Sequence, residues 1–268
     1  MTAFSPATDA VSRHTKTITA AKFGAAASLY QQHARVQATA AAMLFSLMQR
    51  HQGQQAASWG LDLGCGPGHH SVALQRYFSP LLQLDLSHTM LMQSDATSSK
   101  VCADMDALPL QDGSVDGIFS NFAMQWSQNL PALINALYRV LTPGSNAYLS
   151  LVLDGSLQEI ISAYHQASLP CKVNQFITEL ELRNIVASTA FHTLSFNRVT
   201  LVDQFDTAKQ ALQSIKHIGA THSINSISHT GLGGKGKLKQ VLDCYPQLSG
   251  RATVSYQVAL IALHKPIC

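Results

Sequence analysis

The chain has 268 residues, 46% hydrophobic and 12% charged, which is enough to bury a full core and too apolar for a disordered chain. A net charge of +3 is too mild for a nucleic-acid surface, no apolar run reaches membrane-spanning length, and the opening MTAFSPATDAVSRHTK lacks the apolar centre of a signal segment. Cys65, Cys102, Cys171, Cys244 and Cys268 are odd in number and carry neither CxxC nor metal spacing, which predicts reduced thiols, no metal site and a soluble, cytoplasmic protein.

Residues 1–19 read as a loose, polar N-terminus. From residue 20 to about 51 the composition is helical, with Phe23, Ala26, Ala27, Tyr30, Ala34 and Gln37 on one face. An apolar stripe of Met43, Leu44, Leu47 and Met48 continues it. Trp59–Leu63 is a first strand, and Gly64-Cys65-Gly66-Pro67-Gly68 turns it into a helix, HHSVALQRYF. The next strand, Leu81–Leu86, contains Asp85 near its end, and Ser87 caps a helix running to Asp95. A third strand near Val101 ends at Asp104, and a fourth spans Val115–Asn121. A helix over Leu130–Leu141, a turn over 142–146 and a strand Ala147–Leu153 complete five β–α alternations. Such alternation predicts a mostly parallel sheet with helices on both faces.

After Gly155 the composition shifts. Helices are predicted within 156–188 and 207–218, a strand at Thr193–Phe205 and a Gly/Ser-rich loop at 220–236. A helix at Lys237–Cys244 and a final strand at Thr253–Leu263 close the chain. The segment 20–154 is thus expected as an α/β core with an N-terminal lid helix. Residues 155–220 are expected as a cap insert, and 221–268 as a return to the core.

The turn after the first strand carries the chemistry. Gly64 and Gly66 allow positive φ and close approach of a ligand, and an acid at Asp85, nineteen residues beyond Gly66, is placed to accept from ribose hydroxyls. A dinucleotide site wants GxGxxG with a pyrophosphate on the helix N-terminus, but here the third glycine is missing. Read from Asp62, the pattern DxGxGxG resembles motif I of class I S-adenosylmethionine (SAM) methyltransferases. Together with ADMDALPL and SNFAMQW it implies their Rossmann-like fold with a seven-stranded, mostly parallel sheet, lid helices and a small helical cap.

Further segments narrow the resemblance: FGAAASLYQQHARVQ at 23–37, LINALYRVLTPG at 133–144, LQSIKHIGATH at 212–222 and TGLGGKGKL at 230–238. With the Tyr245-Pro246 pair before TVSYQVALIAL, the chain resembles the malonyl-acyl-carrier-protein O-methyltransferases of biotin synthesis over residues 20–264. It departs from their pattern at Ser145-Asn146, where a second glycine is usual, and at Gly24, where a basic residue is common.

The resemblance implies methyl transfer from SAM to the free carboxylate of a malonyl thioester on acyl-carrier protein. A carboxylate with a pKa of roughly 4 is already ionised, so no general base is needed. By the same resemblance Asp62 orients the SAM amino group through water, and Gly64, Cys65 and Gly66 line the methionine part. Asp85 takes the ribose hydroxyls, Leu86 and Met90 flank the adenine, Asp104 accepts from its amino group and Met105 lies against the ring. Asn121 faces the methyl group, and Tyr30, with His33 and Gln37, comes from the lid. For the malonyl carboxylate, Lys216, His217 and His222 are the candidate donors; Arg139 reads as a helix-surface ion pair. Lys235, Lys237 and Lys239, with Arg13, Lys16 and Lys22, would form a basic face for the acidic carrier protein. Phe122, Met124 and Trp126 are expected as an apolar wall of the acceptor pocket rather than a base-stacking platform. Another small carboxylate or a quinone precursor is the alternative acceptor, and a SAM-binding protein without turnover the reading from another class.

Overall fold

The computed structural model describes residues 16, 34–51, 58–94, 97–171, 173–217 and 232–267; for 216–217 and 232–235 it describes the backbone. Helix α1 (Arg35–His51) precedes β1 (Gly60–Leu63), the short α2 (Ser71–Leu74), β2 (Leu81–Asp85), α3 (His88–Leu91) and β3 (Ser99–Cys102). Then come β4 (Val115–Asn121), α4 (Leu130–Val140) and β5 (Leu141–Leu153). The remainder is α5 (Gln158–Gln166), α6 (Glu179–Ala187), β6 (His192–Phe205), α7 (Ala208–His217), α8 (Leu232–Asp243), β7 (Gln247–Leu248) and β8 (Arg251–His264).

One sheet runs in the order β3-β2-β1-β4-β5-β8-β6, with β7 added to β8. Strands β1 to β5 are parallel, while β8 lies antiparallel between β5 and β6. Because the order reverses between β1 and β4, a crevice opens at the carboxyl ends of these two strands, where ligands of such sheets bind.

Strand alternation divides the core between the two faces. Tyr148 and Val152 of β5 pack with Leu44 and Met48 of α1, whereas Leu149 and Leu151 pack with Leu133 and Leu137 of α4. Phe78 is wholly buried over Gly60 and Gly117 of the paired strands β1 and β4. A Cβ at either glycine would lie 2.3 or 2.2 Å from the ring, so only hydrogen leaves the slot open.

Several boundaries differ from the sequence expectation. The strand at 192–205, placed in a cap, is the edge strand of the main sheet, paired along β8 from His192↔His264 to Phe205↔Ala252. An alternating segment looks the same in an insert and on a sheet edge, so only the long-range pairing separates them. From 155–191 the regular structure off the sheet is the two helices α5 and α6, and Ile177 between them bridges Leu153 at the end of β5. β5 starts at Leu141, paired with Val115, and the expected turn at 142–146 is absorbed by a register shift. α8 begins at Leu232, inside the expected loop, because Val241 is buried and Leu238 and Leu242 pack against the core; packing outweighs about 1 kcal/mol per helical glycine. β7 was not foreseen: Ser249 and Gly250, both at positive φ (52° and 76°), close a two-residue hairpin onto β8.

Candidate active site

The crevice floor is the turn after β1. Gly64 and Gly66 both hold positive φ, +67° and +55°. A side chain on Gly64 would collide with Ala123 Cβ at 2.3 Å, whereas the Cβ direction of Gly66 meets nothing within 4 Å. Gly66 therefore presents bare backbone to open space, a surface against which a ligand can lie.

Asp85 ties this turn to the end of β2. Its Oδ2 accepts from the Gly66 N–H at 2.9 Å and its Oδ1 from the Ser87 N–H at 2.7 Å. Burial raises its pKa above the ordinary carboxylate value, against the pull of those N–H groups. Asp62, wholly buried beneath the turn, accepts from the Ser71 hydroxyl at 2.9 Å. Burial pushes its pKa up to about 7; the Ser71 bond opposes this and the Asp85 charge adds to it. Ser71 in turn accepts from Gln83 Nε2, which also donates to Ser94 Oγ at 2.9 Å.

Burial, then the charges of Asp62 and Asp85, push the Cys65 thiol well up, so it stays protonated and is no nucleophile. Among the described residues no cation pairs with Asp62 or Asp85. Two buried carboxylates with no paired cation make this turn a poor seat for a pyrophosphate and a better one for a cation, which favours the SAM reading of the glycine turn over the dinucleotide one.

The adenine-side candidates fall on the β2 and β3 ends. Met90 is buried in α3, its N–H donating to Ser87 Oγ at 3.4 Å, and the Leu86 carbonyl accepts from Cys102 Sγ at 3.5 Å. Met105 reaches the turn, its Cε 3.6 Å from the Cβ direction of Gly64. Asp104 caps the short turn Met105–Ala107 by accepting from the Asp106 N–H at 2.9 Å.

Its other oxygen pairs with Lys16 Nζ at 2.6 Å, and Lys16 also meets Asp106 at 2.7 Å. Burial opposes the Lys16 charge, but the two carboxylates outweigh it and hold its pKa above the ordinary value. Lys16, expected on a basic docking face, is thus turned onto this acidic pair; Lys237 and Lys239 are exposed.

Asn121, at the end of β4, joins three distant elements. Its Nδ2 donates to the Gln37 carbonyl of α1 at 3.0 Å and lies 3.4 Å from His70 Nε2; its Oδ1 accepts from Ser150 Oγ of β5 at 2.7 Å. Ser150 also accepts from the N–H of Phe122, a residue held at φ +54°. Phe122 packs edge-on with Tyr256 at 6.5 Å, whereas Met124 is buried on the other face of the sheet, so the two do not form one wall.

His70 carried no role in the sequence reading; its place directly after the glycine turn was the available signal. Arg139 is a structural clamp, donating to Asp112 at 2.6 Å and to the Leu110 carbonyl at 2.7 Å. Lys216 and His217 lie on the last turn of α7, described by backbone alone, and Tyr30, His33 and His222 lie outside the described residues.

The fold and this crevice define a methyltransferase: the family described as methyltransferase domain matches residues 61–149. A putative methyltransferase from Bacillus halodurans superposes with a TM-score of 0.58 at 15% identity, covering 84% of this chain and 99% of that one. Geranyl diphosphate C-methyltransferase from Streptomyces coelicolor, solved with Mg2+, geranyl diphosphate and S-adenosyl-L-homocysteine, superposes at 0.51 with 14% identity, covering 84% and 79%. The malonyl-(acyl-carrier protein) O-methyltransferase of Erwinia billingiae is 34% identical over 91% of this chain and 95% of its own. The chain belongs to the malonyl-(acyl-carrier protein) O-methyltransferase family.

Proposed function

We propose that this protein methylates the free carboxylate of a malonyl thioester carried on acyl-carrier protein, with SAM as the donor. The observation that carries the acceptor is that the likeness to such enzymes spans 91% of the chain, far beyond the methyltransferase match at 61–149. The anionic turn supports the donor: Asp62 and Asp85 lie beside a glycine backbone open to a ligand, and SAM is a cation. When bound, SAM supplies an electrophilic methyl; the acceptor oxygen forms the O–C bond as the C–S bond breaks and its electron pair returns to sulfur.

The protein's own part is alignment and desolvation. In this reading the Gly64–Gly66 backbone bears the amino-acid part, Asp85 keeps lone pairs for the ribose, and Asp104 and Met105 bound the adenine. Asn121 stands at the acceptor side, and Tyr30, Lys216 and His222 are the candidates for closing over the malonyl group. Nothing in this arrangement needs a base, because the nucleophile is an ionised carboxylate.

Methyl transfer from labelled SAM to malonyl-acyl-carrier protein tests the reading, with acetyl-acyl-carrier protein as the control. Label on the malonyl form alone is the expected result. Label on neither, with SAM still bound, overturns the acceptor.

A further inference from the structure

We propose that His70 is a positioning residue for methyl transfer, its unprotonated Nε2 taking the second amide hydrogen of Asn121 and so bracing that side chain against the helix that follows the glycine turn; this rests on the function proposed above. Asn121 has two amide hydrogens and one carbonyl oxygen to place. One hydrogen is committed to the Gln37 carbonyl at 3.0 Å, and the oxygen receives the Ser150 hydroxyl at 2.7 Å. Flipping the amide would set its oxygen against the Gln37 carbonyl, so the orientation is defined. The second hydrogen then faces His70 Nε2 at 3.4 Å, which has to accept. An accepting Nε2 puts the ring proton on Nδ1, in the neutral imidazole.

The ring is braced to keep that contact. It meets Phe45 of α1 edge-on at 6.3 Å and Phe119 of β4 at 5.9 Å. Burial, with the neighbouring His69, lowers its pKa to about 4, so the imidazolium that would oppose the Asn121 N–H is absent at neutral pH.

His70 also has the right place in the chain. It stands two residues beyond Gly68, at the head of α2, and the Ser71 that follows it holds Asp62. Asn121 belongs to β4, whose Ser120 hydroxyl donates to the Leu63 carbonyl of β1 at 3.0 Å, and Ala123 abuts Gly64. The His70–Asn121 contact therefore ties the donor turn to the acceptor strand by side chains, beside the backbone pairing of β1 and β4. Small misplacement between reacting groups is costly to rate, so such a tie acts on kcat more than on donor binding.

The test uses the full chain and two variants. His70→Leu keeps an apolar filler and removes the acceptor; His70→Gln keeps an acceptor oxygen. Loss of one hydrogen bond predicts a drop in kcat of about tenfold for His70→Leu, with KM for SAM nearly unchanged, and recovery of most of it in His70→Gln. In the wild-type protein without substrate, imidazole 15N shifts should show Nδ1 protonated and Nε2 bare, and His70→Leu should move the Asn121 side-chain amide resonances. A protonated Nε2, unmoved Asn121 resonances, wild-type kcat in His70→Leu, or equal losses in both variants would overturn the proposal. Should the wild-type protein transfer no methyl to the malonyl carrier, the proposed function falls, while the ring tautomer and the Asn121 resonances still decide the His70 contact.

Discussion

The donor half of the crevice, at the ends of β1 and β2, and the acceptor half, at the ends of β4 and β5, are held by different bonds. In the donor half a carboxylate gathers backbone N–H groups: Asp85 holds Gly66, nineteen positions away, and Ser87, two away. In the acceptor half an amide gathers far-separated partners: Asn121 joins Gln37, 84 positions away, His70 at 51 and Ser150 at 29. The first arrangement survives most side-chain changes around it, since its donors belong to the backbone. The second depends on each side chain being what it is. Binding of the donor should therefore be separable from the geometry of transfer.

The largest break is expected from Asp85→Ala. It removes the carboxylate proposed to accept from the two ribose hydroxyls; two such bonds to a charged acceptor, at about 1.5 kcal/mol each, predict SAM binding weakened by roughly a hundredfold in calorimetry. Asn121→Ala strikes the other half. It leaves the Gln37 carbonyl and Ser150 hydroxyl without their partner. A stability loss of about 2 kcal/mol in denaturant unfolding is expected, with SAM affinity changed by less than about threefold. A hundredfold loss of SAM affinity in that variant would erase the distinction between the halves.

Asp62 sharpens the comparison through pH. Its pKa of about 7 in the folded protein lies above the unfolded carboxylate value, so its contribution to apo stability is fully present below about pH 4 and is lost as pH rises through 7. SAM binding should run the other way, weakening by up to about tenfold per unit below pH 7 as the cation meets a protonated acid. Asp62→Asn should flatten both profiles, and an unchanged slope in that variant would remove Asp62 from the donor site. The smallest effect belongs to Lys16→Ala. A partly exposed ion pair is worth at most about 1 kcal/mol, so SAM affinity should shift by less than about fivefold, and by less still at high salt.

The donor half was legible because its signals are local. Strand, glycine turn and strand-terminal acid appear as a spacing, and parallel pairing of Gly60↔Leu81 through Leu63↔Leu84 converts that spacing into the Asp85–Gly66 bond. The acceptor half was legible at one point, Asn121, as the end of a strand. Its partners were not: Gln37 enters through a backbone carbonyl, which no side-chain pattern announces. His70 was passed over because a lone histidine carries no spacing. Lys16 read as surface charge because Asp104 and Asp106 lie 88 and 90 positions away.

By itself the sequence determined the order of strands and helices through β5, the glycine turn with its acid, and the family resemblance that the relatives share over about nine-tenths of the chain. These depend on near neighbours and on periodicity, which a linear string preserves. Only the tertiary structure decided that β6 closes the main sheet, that Phe78 occupies the gap above Gly60 and Gly117, and that His70 meets Asn121. Those outcomes are contacts between residues far apart in the chain. They exist only once hydrophobic burial has brought the strands into register, and the bonds that shape the acceptor side form within that register.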